Sequence, residues 1–251
     1  MTVLAHPAGC RVLRYGDDPQ QVVEVWPAVP GKPARGTAVL VHGGYWRTPW
    51  AADLMHSLVP AFTGRGWRVA VPEYRRIGSG GGWPATSDDV AAALAALDED
   101  DGERGRGGPV VLVGHSAGGH LALVHARAAD AVVALAPVTD LVRGYAEGIG
   151  NGAVAELMGG ASPQADPAAY LAASPRQRPW PACPVLVVHG TDDARVPVEH
   201  SRDYVATARS DGAPVELVEP ASLDHMALID PAAPHWPAVH TWLATTLPTP
   251  P

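Results

Sequence analysis

The stretch Val110-Val111-Leu112-Val113-Gly114-His115-Ser116-Ala117-Gly118-Gly119 decides the fold. Four consecutive aliphatic residues, three of them β-branched, read as a strand buried on both faces. The residues from Gly118 to Ala128 carry helical periodicity, so the strand runs into a helix through the pattern G-x-S-x-G. Such a turn strains the serine backbone and admits only small residues two positions before and after it, which accounts for Gly114 and Gly118. It lifts the Ser116 hydroxyl above the sheet, aims a helix N-terminus at it, and leaves the Ala117 N–H able to donate to an anionic oxygen. His115 lies inside the turn and is expected as a packed neighbour bordering any bound substrate.

Outward from this turn, short apolar runs alternate with longer Ala-rich stretches. Strands are expected at 11–14, 21–26, 37–41, 68–71, 110–113, 132–135, 185–188 and 215–218. The first two are interrupted by polar residues and are expected to form an antiparallel edge hairpin. Helices are expected at 51–65, 87–97, 118–128, 198–210 and 235–247. The alternation predicts an α/β fold: one domain over 1–251 with a mostly parallel eight-stranded sheet covered by helices on both faces. Residues 139–184 are rich in Gly, Pro and Ser and are expected as a cap insert with two short helical segments, near 154–158 and 167–172. Asp98-Glu99-Asp100-Asp101 is expected as a solvated loop after a helix.

The chain has 251 residues, 47% of them apolar, with a formal net charge of −8. That balance provides no electrostatic case for nucleic acid or an anionic membrane as partner. Cys10 and Cys183 have no metal-type spacing around them and are expected as free thiols in a reducing compartment. The N-terminal residues lack a basic segment followed by an apolar run, and no apolar stretch approaches the roughly 18 residues of a spanning helix. A cytoplasmic protein is expected.

A serine hydroxyl needs a base, and the base an orienting acid. His42-Gly43-Gly44-Tyr45-Trp46 follows the third strand, and its two glycines let backbone N–H groups approach a bound carbonyl. His42 is expected to order that loop. His225 follows the last strand, where a loop can return to the top of the sheet. After the seventh strand, His189-Gly190-Thr191-Asp192-Asp193-Ala194-Arg195-Val196-Pro197 offers two adjacent aspartates for the acid. Of the other histidines, His120 and His189 are expected to be structural. His200, His235 and His240 are expected to face solvent, and His56 and His125 have no motif around them.

Taken together and in this order, G-H-S-A-G-G, H-G-G-Y-W and H-G-T-D-D-x-x-V-P resemble the α/β-hydrolase superfamily over nearly the whole chain. Within it, H-G-G-Y-W resembles the kynurenine formamidase (arylformamidase) branch, close to the hormone-sensitive-lipase-like esterases. The resemblance implies the acid three residues after the glycine of H-G-x-x-D-x-x-V-P, which is Asp193, and a triad of Ser116, Asp193 and His225. Gly43, Gly44 and Ala117 would form the oxyanion hole, and no metal or organic cofactor is needed. With His115, the rings of Tyr45, Trp46, Trp50 and Trp83 are expected to border a small substrate and to favour an aromatic one.

Expected activities are hydrolysis of a small ester or aryl amide, N-formylkynurenine included, or transfer of an acyl group from a carrier-protein thioester with the same serine. A ligand-binding homologue without catalysis is the non-enzymatic alternative.

Overall fold

The computed structural model describes residues 9–32, 35–104 and 108–248, with 101–104 as backbone only. The expectation for the N-terminal seven residues lies outside them. In chain order the elements are β1 (Arg11–Arg14), β2 (Val22–Trp26), β3 (Gly36–Val41), α1 (Val59–Thr63), β4 (Trp67–Pro72), α2 (Ala85–Arg104), β5 (Val110–His115) and α3 (Ala117–Val124). There follow β6 (Ala131–Leu135), α4 (Leu141–Ala146), α5 (Ile149–Leu157), α6 (Pro167–Ala173), β7 (Val185–Val188), α7 (Glu199–Ser210), β8 (Val215–Val218) and α8 (Trp236–Thr246).

The strands form one sheet in the order β1-β2-β4-β3-β5-β6-β7-β8. The pairs β1–β2 and β2–β4 are antiparallel, and all others are parallel. Alternate side chains feed two cores. Val39, Val41 and Leu112 pack under α2, α3 and the segment between β6 and β7. Ala38, Leu40, Val111 and Val113 pack under α1 and α8 on the other face. A strand with both faces buried has no polar side to show, which is why its sequence is a continuous aliphatic run. The chain leaves β3 for β4 on one side, and β5 pairs with β3 on the other. The order therefore reverses at β3, and the crevice at the carboxyl ends of β3 and β5 is a switch point where open α/β sheets bind ligands.

Several expectations need correction. Residues 51–65 are not one helix: a 3-10 segment at Ala52–Leu58 precedes the short α1, with Pro60 in its first turn. The acidic tract is not a loop but the last part of α2, where Asp100 accepts from Arg11 (2.6 Å) and Arg68 (2.8 Å). The insert carries three helices, because α4 was missed. Its cap is Asp140, whose side chain accepts from Arg143 N–H. His200 and His235 are buried rather than solvent-facing, and His240 is half-buried. His200 is covered because its Nε2 bonds Glu147 at the end of α4 (3.0 Å), and His235 because it packs on Trp236. Among the described residues neither Cys10 nor Cys183 is in a disulfide. Among the described residues no helix is long and apolar enough to cross a membrane.

Candidate active site

Ser116 sits between β5 and α3 with φ 56° and ψ −117°, a conformation that costs on the order of 1–3 kcal/mol for a residue with a Cβ. Neighbouring backbone enforces it. A Cβ on Gly114 would strike the Gly118 carbonyl, and one on Gly118 would strike the carbonyls of Val41 and His42. The Ser116 N–H donates to Leu135 O (2.8 Å), tying the turn to β6. Ala117 opens α3, so its N–H belongs to the first turn, where no helix carbonyl can accept it.

His225 lies in the irregular segment after β8, and its Nδ1 is 2.6 Å from Asp193 Oδ2. The Asp193 carboxylate has no exposed surface. It also accepts from His189 Nε2 (3.2 Å), Arg195 N–H (2.8 Å) and Val196 N–H (2.9 Å). Burial alone raises its pKa, but the bonds from His189 and His225, the charge on His225 and the Val196 N–H outweigh it and hold the group far below the usual carboxylate range. Asp192 is exposed and accepts from the Thr191 hydroxyl (3.0 Å). Ser116 and His225 line one small cleft. A base whose Nδ1–H is held by a carboxylate presents Nε2 as an acceptor, the arrangement that takes a proton from a hydroxyl.

The loop after β3 stands over Ser116. A Cβ on Gly43 would lie 2.8 Å from His115 O and 3.0 Å from Ser116 Cβ, so only glycine permits this approach. His42 Nε2 is 3.0 Å from buried Glu73, and Nδ1 is 2.8 Å from the Gly43 carbonyl. Because the peptide is trans, a Gly43 carbonyl turned toward His42 points the Gly44 N–H the opposite way. Neither the Gly43 nor the Gly44 N–H finds a backbone acceptor among the described residues. Glu73 also accepts from the N–H groups of Ala52 and Tyr74, both at 3.0 Å. Burial pushes its pKa up, and His42 and Arg76 more than reverse that.

The tentative substrate-contacting residues divide. Tyr45 and His115 line the cleft. Trp46 does not: positive φ at Tyr45 (56°) and Trp46 (58°) turns its indole into the core, edge-on to His120. Trp83 packs against that core too and is absent from the cleft wall. Trp50 lines the cleft beside Gly44. Leu54, Arg195 and Met226 were not foreseen there. The signal for two of them was adjacency, since Met226 follows His225 and Arg195 lies two residues after Asp193. The insert is fastened to this site: Arg47 donates to Gly150 O (2.7 Å) and pairs with Glu156, and His120 Nε2 bonds Ala173 O (2.8 Å). Among the described residues no three His, Cys, Asp or Glu side chains cluster as a metal site would require.

The model of the prolyl oligopeptidase family matches residues 62–244, from α1 to α8. The chain belongs to the prolyl oligopeptidase family. Esterase LipC of Mycobacterium tuberculosis is 30% identical over 232 residues, which is 80% of this chain and 55% of LipC. The chain thus spans about half the length of that relative. A truncated carbohydrate esterase from gut microbiota superposes with a TM-score of 0.80 at 17% identity, covering 94% of each chain. The thermophilic esterase Est2 of Thermogutta terrifontis gives 0.77 at 22% identity, covering 95% of this chain and 92% of Est2. Both likenesses show that this member of the prolyl oligopeptidase family has the α/β-hydrolase fold.

Proposed function

We propose that the chain is a serine hydrolase that cleaves a small carboxylic ester through an acyl-enzyme on Ser116. The observation that carries this is the 2.6 Å bond from His225 Nδ1 to a buried carboxylate, with His225 sharing a cleft with a strained serine. His225 Nε2 takes the Ser116 proton as Oγ attacks the carbonyl carbon. The oxyanion forms against the N–H groups of Gly43, Gly44 and Ala117. His225⁺ then passes its proton to the leaving oxygen, with Asp193 compensating its charge. Water then gives a proton to His225 as its oxygen attacks the acyl carbon, and His225⁺ returns that proton to Ser116 Oγ as the acyl–Oγ bond breaks and the acid departs.

Within esters, Tyr45 and Trp50 in the cleft wall favour a flat aryl group on either side of the scissile bond. The narrower formamidase reading rests on the same two rings and on the H-G-G-Y-W resemblance. The esterase relatives favour the ester. Hydrolysis of phenyl acetate, ethyl acetate and formanilide by the wild type and Ser116→Ala tests the proposal. The aryl ester is expected to be cleaved fastest, and Ser116→Ala to lose at least about 10³-fold of the rate. Undiminished hydrolysis in Ser116→Ala overturns the mechanism, and formanilide turning over faster than the ester would favour the formamidase. Acyl transfer to an added alcohol at the expense of free acid would favour the transferase.

A further inference from the structure

His115 is a titratable side chain of the turn that this mechanism leaves unused, and it is buried. Its Nε2 lies 3.0 Å from the backbone carbonyl of His225. A carbonyl only accepts, so Nε2 carries the proton and Nδ1 is left with a lone pair. That Nδ1 is buried without a partner. It faces the oxyanion loop, since a Cβ on Gly43 would come within 3.1 Å of it. The His115 and His225 rings are in contact, with centroids 4.6 Å apart and planes at 47°. One imidazole therefore touches three segments: the nucleophile turn that carries it, the loop of the base, and the loop of the oxyanion donors.

The segment around His225 needs such a tie. It belongs to no strand or helix, and the next regular turn begins at Ala227. Asp224 Oδ1 accepts from the N–H groups of Met226 (2.8 Å) and Ala227 (2.9 Å), which shapes the loop from within. Asp193 holds the imidazole at Nδ1 but allows it to swing about that bond. The distance from His225 Nε2 to Ser116 Oγ is then set by where the His225 backbone stands relative to the nucleophile turn. The His115 bond spans that gap, from the residue before Ser116 to the residue that carries the base. Burial and the neighbouring His225 charge push the His115 pKa down to about 3, so the ring stays neutral while its neighbour gains and loses a proton.

We propose that His115 is a positioning residue: its Nε2–H fixes the His225 backbone against the nucleophile turn, and its ring keeps the base loop and the oxyanion loop in register. The proposal rests on the reading of Ser116 and His225 as nucleophile and base. It assigns His115 no proton transfer. A misplacement of about 1 Å at a reacting group costs on the order of 10²-fold in rate, so loss of the bond should reduce acylation by about 30- to 100-fold.

The test compares His115→Gln with His115→Met and His115→Phe. Gln and Met have nearly the same length, but only Gln can donate to the His225 carbonyl, and Phe keeps a ring without a donor. The assay is the rate of Ser116 labelling by an alkyl fluorophosphonate. Oγ attacks phosphorus, the P–F bond breaks, fluoride leaves and the Oγ proton passes to His225. The kcat and KM of an aryl ester and the Tm of each variant are measured alongside. The expected result is a fall of about 30- to 100-fold in labelling rate and kcat for Met and Phe, with KM within about twofold. Gln should recover to within about fivefold of the wild type, regardless of Tm. Equal labelling in Met, Gln and the wild type overturns the proposal, and so does a Gln variant no faster than Met. Should Phe fail to fold, the Gln–Met pair decides. A wild type that fluorophosphonate never labels overturns the hydrolase reading, and this one with it. Labelling that is insensitive to His115 overturns the positioning role alone.

Discussion

Replacing Asp193 by Asn keeps the volume, removes one charge and turns one acceptor oxygen into an NH₂. Four donors converge on the native carboxylate: His225 Nδ1, His189 Nε2 and the N–H groups of Arg195 and Val196. The single oxygen of Asn satisfies the two backbone groups, which places its NH₂ toward His225 Nδ1. The imidazole must then accept at Nδ1 and carry its proton on Nε2, the nitrogen that has to receive the Ser116 proton. The imidazolium formed during attack also loses its counter-ion. Unit charges ~4 Å apart at an effective dielectric of ~20 interact by about 4 kcal/mol, a factor of about 10³ in rate. With the tautomer error added, kcat should fall by about 10³ to 10⁴. KM should stay within about threefold, since the fully buried carboxylate cannot reach substrate. Asp192→Asn is the control: the residue is exposed and accepts from the Thr191 hydroxyl, and its replacement should stay within about twofold. Steady-state hydrolysis of a 4-nitrophenyl ester, with Tm recorded for each variant, measures both. The reasoning is refuted if Asp193→Asn keeps kcat within tenfold of the wild type, or if Asp192→Asn costs more.

Other outcomes follow from the same geometry. Gly43→Ala should cut kcat by about 10²-fold or more without matching loss of stability, because the new Cβ at 2.8 Å from His115 O must displace the oxyanion donors; unchanged kcat would remove the loop from the site. Gly118→Ala should fail to give soluble protein, since its Cβ would meet the backbone carbonyls of Val41 and His42 at the end of β3, which cannot yield cheaply. Acid should destabilise the fold early. His115 and His120 are buried and neutral, with pKa values lowered by burial to about 3 and about 4. Unfolded imidazole titrates near 6.5, so below that pH the unfolded chain binds more protons. Each residue then costs about 1.4 kcal/mol per pH unit down to its folded value. Asp193, depressed in the fold, adds its own loss only below about pH 3.8, as pH falls toward its folded value. Urea titrations between pH 7 and pH 4 should show the histidine slope, and His120→Gln should lower it by about one proton's worth.

Much of the fold was legible because the physics acts on neighbours in sequence. Strands β3, β5 and β7 are buried on both faces, and an aliphatic run records that directly. The nucleophile turn demands glycine at Gly114 and Gly118 and therefore announces itself. What escaped depends on distant partners. The acidic tract continues α2 because Arg11 and Arg68 approach Asp100 from β1 and β4. His200 is buried only because the insert lays Glu147 over it. Trp46 was expected beside substrate, and two consecutive left-handed residues instead direct it inward, a conformation that an aromatic sequence does not advertise. The cleft wall was the least legible part: Leu54 comes from the 3-10 segment Ala52–Leu58, Arg195 from the loop after β7 and Met226 from the segment after β8, and they meet only in the folded chain.

The central claim is that Ser116 becomes acylated by an ester and is freed by water. Intact mass after brief mixing with a panel of aryl esters and an acid quench, followed by peptide mapping, tests it most directly. The account predicts one added acyl group on the peptide carrying Ser116, lost on further incubation and absent from Ser116→Ala. Ester hydrolysis with no adduct in that quench and undiminished in Ser116→Ala, or an adduct mapped to another residue, would contradict it.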